Sequence, residues 1–143
     1  MTIHPSAVID PSSKLEKDVS VGPFSIIGCG VKIGAGTVIG SHVLIEANTI
    51  IGNACKIFQG ASIGGEPQII NFEDVPSSVE IGNGTVVREY ATIHRSMFKK
   101  GITRIGKNCL LMAYSHLGHD CQIGDQVVIV LSLIHISEPT RPY

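Results

Sequence analysis

The sequence has no tryptophan, and only 5% of its residues are aromatic. Large rings carry much of the burial in an ordinary globular core. A core of that kind is therefore excluded, and aliphatic side chains must fill the interior. No apolar run approaches the ~20 residues that cross a bilayer as a helix, so no membrane span is expected. Met1-Thr2-Ile3-His4-Pro5 lacks the charged and apolar segments of a secretory signal. Excess charge is missing as well. The formal net charge is -1, with no basic field to attract nucleic acid. The four cysteines, Cys29, Cys55, Cys109 and Cys121, are widely spaced and match no zinc pattern. No metal and no cofactor are expected, and the cysteines read as small buried thiols in a reducing cytoplasm.

What the sequence does have is a repeat. Every sixth residue from Ile3 to Ile129 gives 22 positions, and 21 of them are Ile, Leu or Val. Composition alone would place about nine hydrophobic residues there, so the period is real. The next residue is often glycine, as at Gly22, Gly34, Gly82 and Gly106. Four residues after each aliphatic the side chain is small or β-branched, as at Ser25, Thr37, Cys55 and Thr85. Neither a helical period of about 3.6 nor a strand period of 2 generates this pattern. A short strand followed by a corner does. The aliphatic points inward, glycine permits the bend, and the small residue sits where stacked coils approach.

Three hexads make one triangular coil, and coils stack at about 4.8 Å. The fold class is all-β: a parallel β-helix of hexapeptide repeats, a triangular prism of about seven coils. The pattern leaves its hand open. Two stretches break the grammar. Residues 66–79 keep the frame but carry two prolines and the polar run Asn71-Phe72-Glu73-Asp74, which predicts a loop leaving the prism. Residues 96–103 hold the one non-aliphatic frame position, Lys99, and predict a shorter excursion. Loops on a rigid scaffold are where function concentrates.

The repeat stops after residue 130, where the next frame positions are His135 and Arg141. Residues 131–141 resemble the translation of a sequencing-library adapter. The expected organisation is one β-helix domain over 1–130 and a non-native tail over 131–143, with the native chain continuing past residue 130.

His94, His116 and His119 all miss the inward aliphatic positions and should face outward or toward corners. His119 is followed by Asp120. An imidazole oriented by a carboxylate is a suitable general base, although an exposed, solvated histidine would look the same in sequence. Cys121 occupies the small inward position, which favours packing over a nucleophilic role.

Ser115-His116-Leu117-Gly118-His119-Asp120-Cys121 resembles the active-site strand of the acyl-[acyl-carrier-protein]–UDP-N-acetylglucosamine O-acyltransferase family. Arg88-Glu89-Tyr90-Ala91-Thr92-Ile93-His94-Arg95 resembles a second stretch of that family. Ile57 to Gly64 followed by Pro67-Gln68 resembles the start of its substrate loop. The resemblance covers residues 3 to about 130 and implies a left-handed helix. It implies His119 as general base and Asp120 as its orienting partner. It further implies that His94 and His116 line the sugar and phosphate cleft and that Gln68 contacts the nucleotide sugar. Acyl carrier protein would be the acyl donor, a UDP-sugar the acceptor, and the assembly a cytoplasmic homotrimer.

Two departures bear on the acceptor: Ile69 and Asn71 stand where the family commonly has Asp and Lys. The family's oxyanion-stabilising amide and acyl-length ruler come from residues past 130, so the 143-residue chain alone is expected to lack useful activity. Three alternatives stay open on the residues themselves. They are another hexapeptide acyl- or acetyltransferase, a zinc enzyme using the three histidines in a site across subunits, and a non-catalytic scaffold.

Overall fold

The structure, a computed structural model, describes residues 1–131. The expected boundary falls at the edge of that range, and the expected tail lies outside it from residue 132 onward.

Among the described residues the chain forms nineteen short strands and no helix. Nearly every strand is two residues long, because each straight run ends at a corner one residue past its aliphatic. All pairings are parallel, and the strands fall into three sheets of seven, six and six. Strands of one sheet are three apart in sequence order, so the chain visits each face once per turn. The result is a left-handed parallel β-helix. The first face runs from Thr2–Ile3 to Val128–Ile129, the second from Val8–Ile9 to His116–Leu117, and the third from Lys14–Leu15 to Gln122–Ile123. Six coils are complete, and Val128–Ile129 begins a seventh.

The interior is a stack of aliphatics. Ile27, Ile33, Ile39, Ile45, Ile51, Ile57 and Ile63 are all 2% exposed or less. Burying each such side chain contributes about 1.5–3 kcal/mol. The small inward residues do more than fit. Ser25 Oγ donates to the Gly40 carbonyl at 2.6 Å, and Thr37 Oγ1 to the Gly52 carbonyl at 2.7 Å. These hydroxyls satisfy corner carbonyls that would otherwise be buried without partners.

Except at Gly64, with φ 88°, the glycine that follows the aliphatic has a different task from the expected one. The left-handed backbone falls two residues later at most corners, at Asp18, Phe24, His42 and Asn48 with φ between 54° and 63°, and at glycine only where one stands there, as at Gly30 and Gly36. At Gly22 and Gly82 the need is space. A Cβ at Gly82 would come within 2.6 Å of the Gly106 carbonyl carbon in the next coil. At these corners the backbones approach too closely for a side chain on the lower one, whereas the stacked corners at Phe58, Arg88 and Met112 keep theirs.

The register shows where the prism is interrupted. Lys14 pairs with Lys32, one regular turn of 18 residues. Lys56 pairs with Val86, a turn of 30, and Thr92 with His116, a turn of 24. The insertions lie between the strands Ser62–Gly65 and Ser78–Ile81, and between Thr92–His94 and Ile102–Ile105. The loops are thus 66–77 and 95–101, shorter at their C-terminal ends than expected. Val79 and Thr103 are fully buried and belong to the prism. Ile69, Val75 and Lys99, although in frame, leave the core. Cys55 and Cys109 are buried as expected, but Cys29 is exposed on a corner and Cys121 is half-buried.

Candidate active site

The second face carries the site. Its outward column begins with Val8, Ile26 and Leu44 and ends with Thr92 and His116, register partners on adjacent strands. His94 closes the strand Thr92–His94, where a register irregularity sets it opposite Gly65. His119 and Asp120 form the corner that follows His116–Leu117.

Each imidazole has one nitrogen occupied. His119 Nδ1 lies 3.0 Å from Asp120 Oδ2. His94 Nδ1 lies 2.6 Å from the Glu66 carbonyl oxygen. His116 Nδ1 lies 2.8 Å from Thr92 Oγ1. A carbonyl can only accept, so His94 carries its proton on Nδ1. An ionised carboxylate places the same demand on His119, leaving its Nε2 as a free lone pair when the ring is neutral. The His94 and His116 rings meet edge to face with centroids 5.1 Å apart. Burial and, secondarily, the charge of His94 hold His116 below the ordinary histidine pKa.

Asp120 is the most constrained member. It sits at the left-handed corner position with φ 65°, a conformation that aspartate tolerates. Its amide donates to Thr103 Oγ1 at 2.9 Å. Its carboxylate accepts from the Ser96 hydroxyl, from the Met97 amide at 3.1 Å and from His119. Burial opposes the charge. The hydrogen bonds from Ser96, His119 and Met97 outweigh it and hold the carboxyl below the ordinary range. The pair is thus an ionised acceptor and an imidazole aligned to take a proton.

Gln68 is not joined to this cluster. It is exposed on the 66–77 loop and shares no hydrogen bond with the histidines among the described residues. The loop itself is anchored at both ends. Glu66 holds His94, and the Arg95 guanidinium bonds the Val75 carbonyl at 2.7 Å, Ser77 Oγ at 2.9 Å and Asp74 at 2.9 Å. A cavity of about 480 Å³ lies beneath the loop, lined by Glu46, Asn48, Asp74 and Arg95 among others, and none of the three histidines lines it. His116 instead borders a separate cleft of about 320 Å³ with Ser115, Cys121 and Ile129.

The profile described as bacterial transferase hexapeptide (six repeats) matches residues 12–47 and 102–130. The acyl-[acyl-carrier-protein]–UDP-N-acetylglucosamine O-acyltransferase of Sulfurihydrogenibium sp. is 62% identical over 122 residues, which are 85% of this chain and 45% of that one. The chain belongs to this acyltransferase family. The like-named protein of Paraburkholderia phymatum is 52% identical over 128 residues, 89% of this chain and 49% of its own. The solved structure of LpxA from Acinetobacter baumannii superposes with a TM-score of 0.86 at 41% identity, covering 90% of this chain and 50% of that one. The chain spans about half the length of the curated relatives it matches.

Membership in the family weighs against the scaffold and other-transferase alternatives. Among the described residues no group of three His, Cys, Asp or Glu side chains is placed to hold a metal ion within one chain. No helix among them is long and apolar enough to cross a membrane. Sequence reasoning missed the groups that orient the site: Ser96, the Met97 amide, Thr92, Thr103 and the Glu66 carbonyl. Ser96 and Glu66 had one available signal, since each borders a break in the hexad grammar.

Proposed function

We propose that the protein transfers a (3-hydroxy)acyl chain from acyl carrier protein to the 3-position of a UDP-N-acetylglucosamine-type sugar nucleotide, with His119 as general base. The observation that carries this is the His119–Asp120 pair at 3.0 Å, with Nε2 of the imidazole left free. The names of the relatives supply the donor and acceptor classes.

The proton of the sugar 3-hydroxyl, or 3-amine, passes to His119 Nε2. The freed oxygen or nitrogen attacks the thioester carbonyl of the acyl carrier. Collapse of the tetrahedral intermediate breaks the carbon–sulfur bond, and the departing thiol takes the proton that His119 holds. Asp120 orients the ring and stabilises the imidazolium without itself becoming protonated. His94 and His116 contact the sugar and phosphate, and Gln68 reaches the nucleotide sugar from its loop. Ile69 and Asn71 remove polar contacts at the acceptor and bear on which UDP-sugar is taken.

The working assembly is a cytoplasmic homotrimer. The exposed Val8 and Ile26, in the same outward column as His116, supply an apolar strip for a second copy. Sedimentation of the full-length protein as a monomer would count against it.

The activity is tested with His119→Ala in the full-length protein, assayed with acyl carrier protein and UDP-N-acetylglucosamine. Turnover should fall by about 10²–10⁴. Unchanged turnover sinks the assignment.

A further inference from the structure

The loop 95–101 closes on Asp120 rather than on solvent. Ser96 has no exposed surface. Its hydroxyl accepts the Phe98 amide at 3.0 Å and donates to Asp120 Oδ1. An amide can only donate, so the hydroxyl proton is left for the carboxylate. The next residue in the chain supplies the Met97 amide to Asp120 Oδ2, the oxygen that also accepts from His119. Two of the carboxylate's three donors therefore come from this one turn. The turn has no slack, since a Cβ at Gly101 would overlap Ser96 Oγ.

Ser96 is itself held from the other side. Its carbonyl accepts the Ser77 hydroxyl at 2.6 Å, and Ser77 accepts Arg95 Nη1 at 2.9 Å. The Lys100 amide reaches the Pro76 carbonyl at 2.6 Å. A polar chain thus runs from Asp74 through Arg95, Ser77 and Ser96 to Asp120 and His119. It joins the 66–77 loop to the imidazole.

We propose that Ser96 is a positioning residue: it locks the Asp120 carboxylate in the orientation from which Asp120 aligns His119, and it ties that orientation to the 66–77 loop. A carboxylate on a surface corner can rotate about its Cα–Cβ and Cβ–Cγ bonds. Every rotation away from His119 Nδ1 releases the ring and its tautomer. Charge-assisted hydrogen bonds from a buried hydroxyl and an amide remove that freedom before substrate arrives. His119 is the titratable side chain that faces Asp120 on its own corner. From the 95–101 turn the facing groups are the uncharged Ser96 and Met97 amide, from the strand Ile102–Ile105 it is Thr103, and Arg95 is turned toward Asp74. Lys99 and Lys100 are exposed.

The kinetic consequence rests on the acyl-transfer reading, while the bond does not. The test is Ser96→Ala, which removes one oxygen and no volume that the fold needs. In the full chain, carboxyl carbon NMR should show Asp120 titrating at higher pH in the variant than in the parent. In the full-length protein kcat should fall about tenfold with KM little changed, and the acid limb of the pH–rate profile should move upward. In an Asp120→Ala background the same substitution should cost nothing further, because the residue through which it acts is gone. Ser77→Ala should move the same readouts in the same direction by less. An Asp120 titration that does not move overturns the proposal. So does a Ser96→Ala loss that persists undiminished in Asp120→Ala. If the titration moves while His119→Ala retains turnover, the Ser96 bond stands and the acyl-transfer reading falls.

Discussion

The lower prism, residues 1–57, and the upper prism, residues 58–130, obey the same hexad rule and use it differently. In the lower part every turn takes 18 residues, and a set of side-chain-to-amide hydrogen bonds repeats the same step. Ser6 Oγ caps the Phe24 amide, Ser12 Oγ the Gly30 amide, and Ser25 Oγ the Val43 amide, each from one coil to the next. In the upper part the turns lengthen to 30 and 24 residues before returning to 18, and the added chain supplies Glu66, Arg95, Ser96 and the Met97 amide. The ladder also breaks there. Gly64 turns into the loop with φ 88°, and Thr49 Oγ1 is left buried without a partner among the described residues. Regular coils give rigidity, and departures from register place polar groups where a repeat cannot.

That contrast can be broken from either end. The largest stability effect should come from the regular half. Ile45→Ala leaves a cavity in a fully buried stack and should lower stability by about 2–5 kcal/mol in urea unfolding. Equal loss from a loop substitution such as Ile70→Ala, at 92% exposure, would erase the distinction.

Arg95→Ala should act locally. Its side chain is only 16% exposed, and its guanidinium holds the 66–77 loop by Val75, Ser77 and Asp74. Amide exchange within 66–77 should report an opening easier by about 1.5–3 kcal/mol. The thermal midpoint of the prism should move little. A large shift in that midpoint would mean that the loop is part of the core.

The smallest effect concerns pH. His116 has its pKa lowered in the fold, by burial first and His94 second. The unfolded chain then binds the extra proton more readily. Its contribution is fully present above the ordinary histidine value and is lost as pH falls through the lowered folded value. Asp120, also lowered, acts with the same sign at more acid pH. Urea midpoints should therefore decline on acidification through the histidine range, and His116→Gln should flatten that decline. A decline unchanged by the substitution would assign it to another group.

Much of the fold was legible because a six-residue period has one economical solution. Ile27, Ile33 and Ile39 announce the inward positions of one coil, one on each face, and burial confirms them. The excursions were legible as breaks, but their ends were not. Val79 and Thr103 look like loop residues until pairing with the neighbouring coil draws them in. The role of glycine was misassigned for a related reason. Corner conformation is a local property, whereas the contact between Gly82 and Gly106 is set by the next coil. His119 and Asp120 were visible as neighbours in sequence. Ser96 was not visible as their partner, because 24 residues and a full turn of the prism separate it from Asp120.

The sequence by itself determined the prism, its inward columns, the outward placement of three histidines and the existence of two loops. These follow from periodicity, which needs only the residues of one coil. The tertiary structure alone decided which nitrogen each imidazole leaves free, what anchors the 66–77 loop and what fixes Asp120. Those depend on contacts between coils, on insertions of twelve and six residues beyond the 18-residue turn. No repeat encodes such contacts, because they arise where the repeat fails.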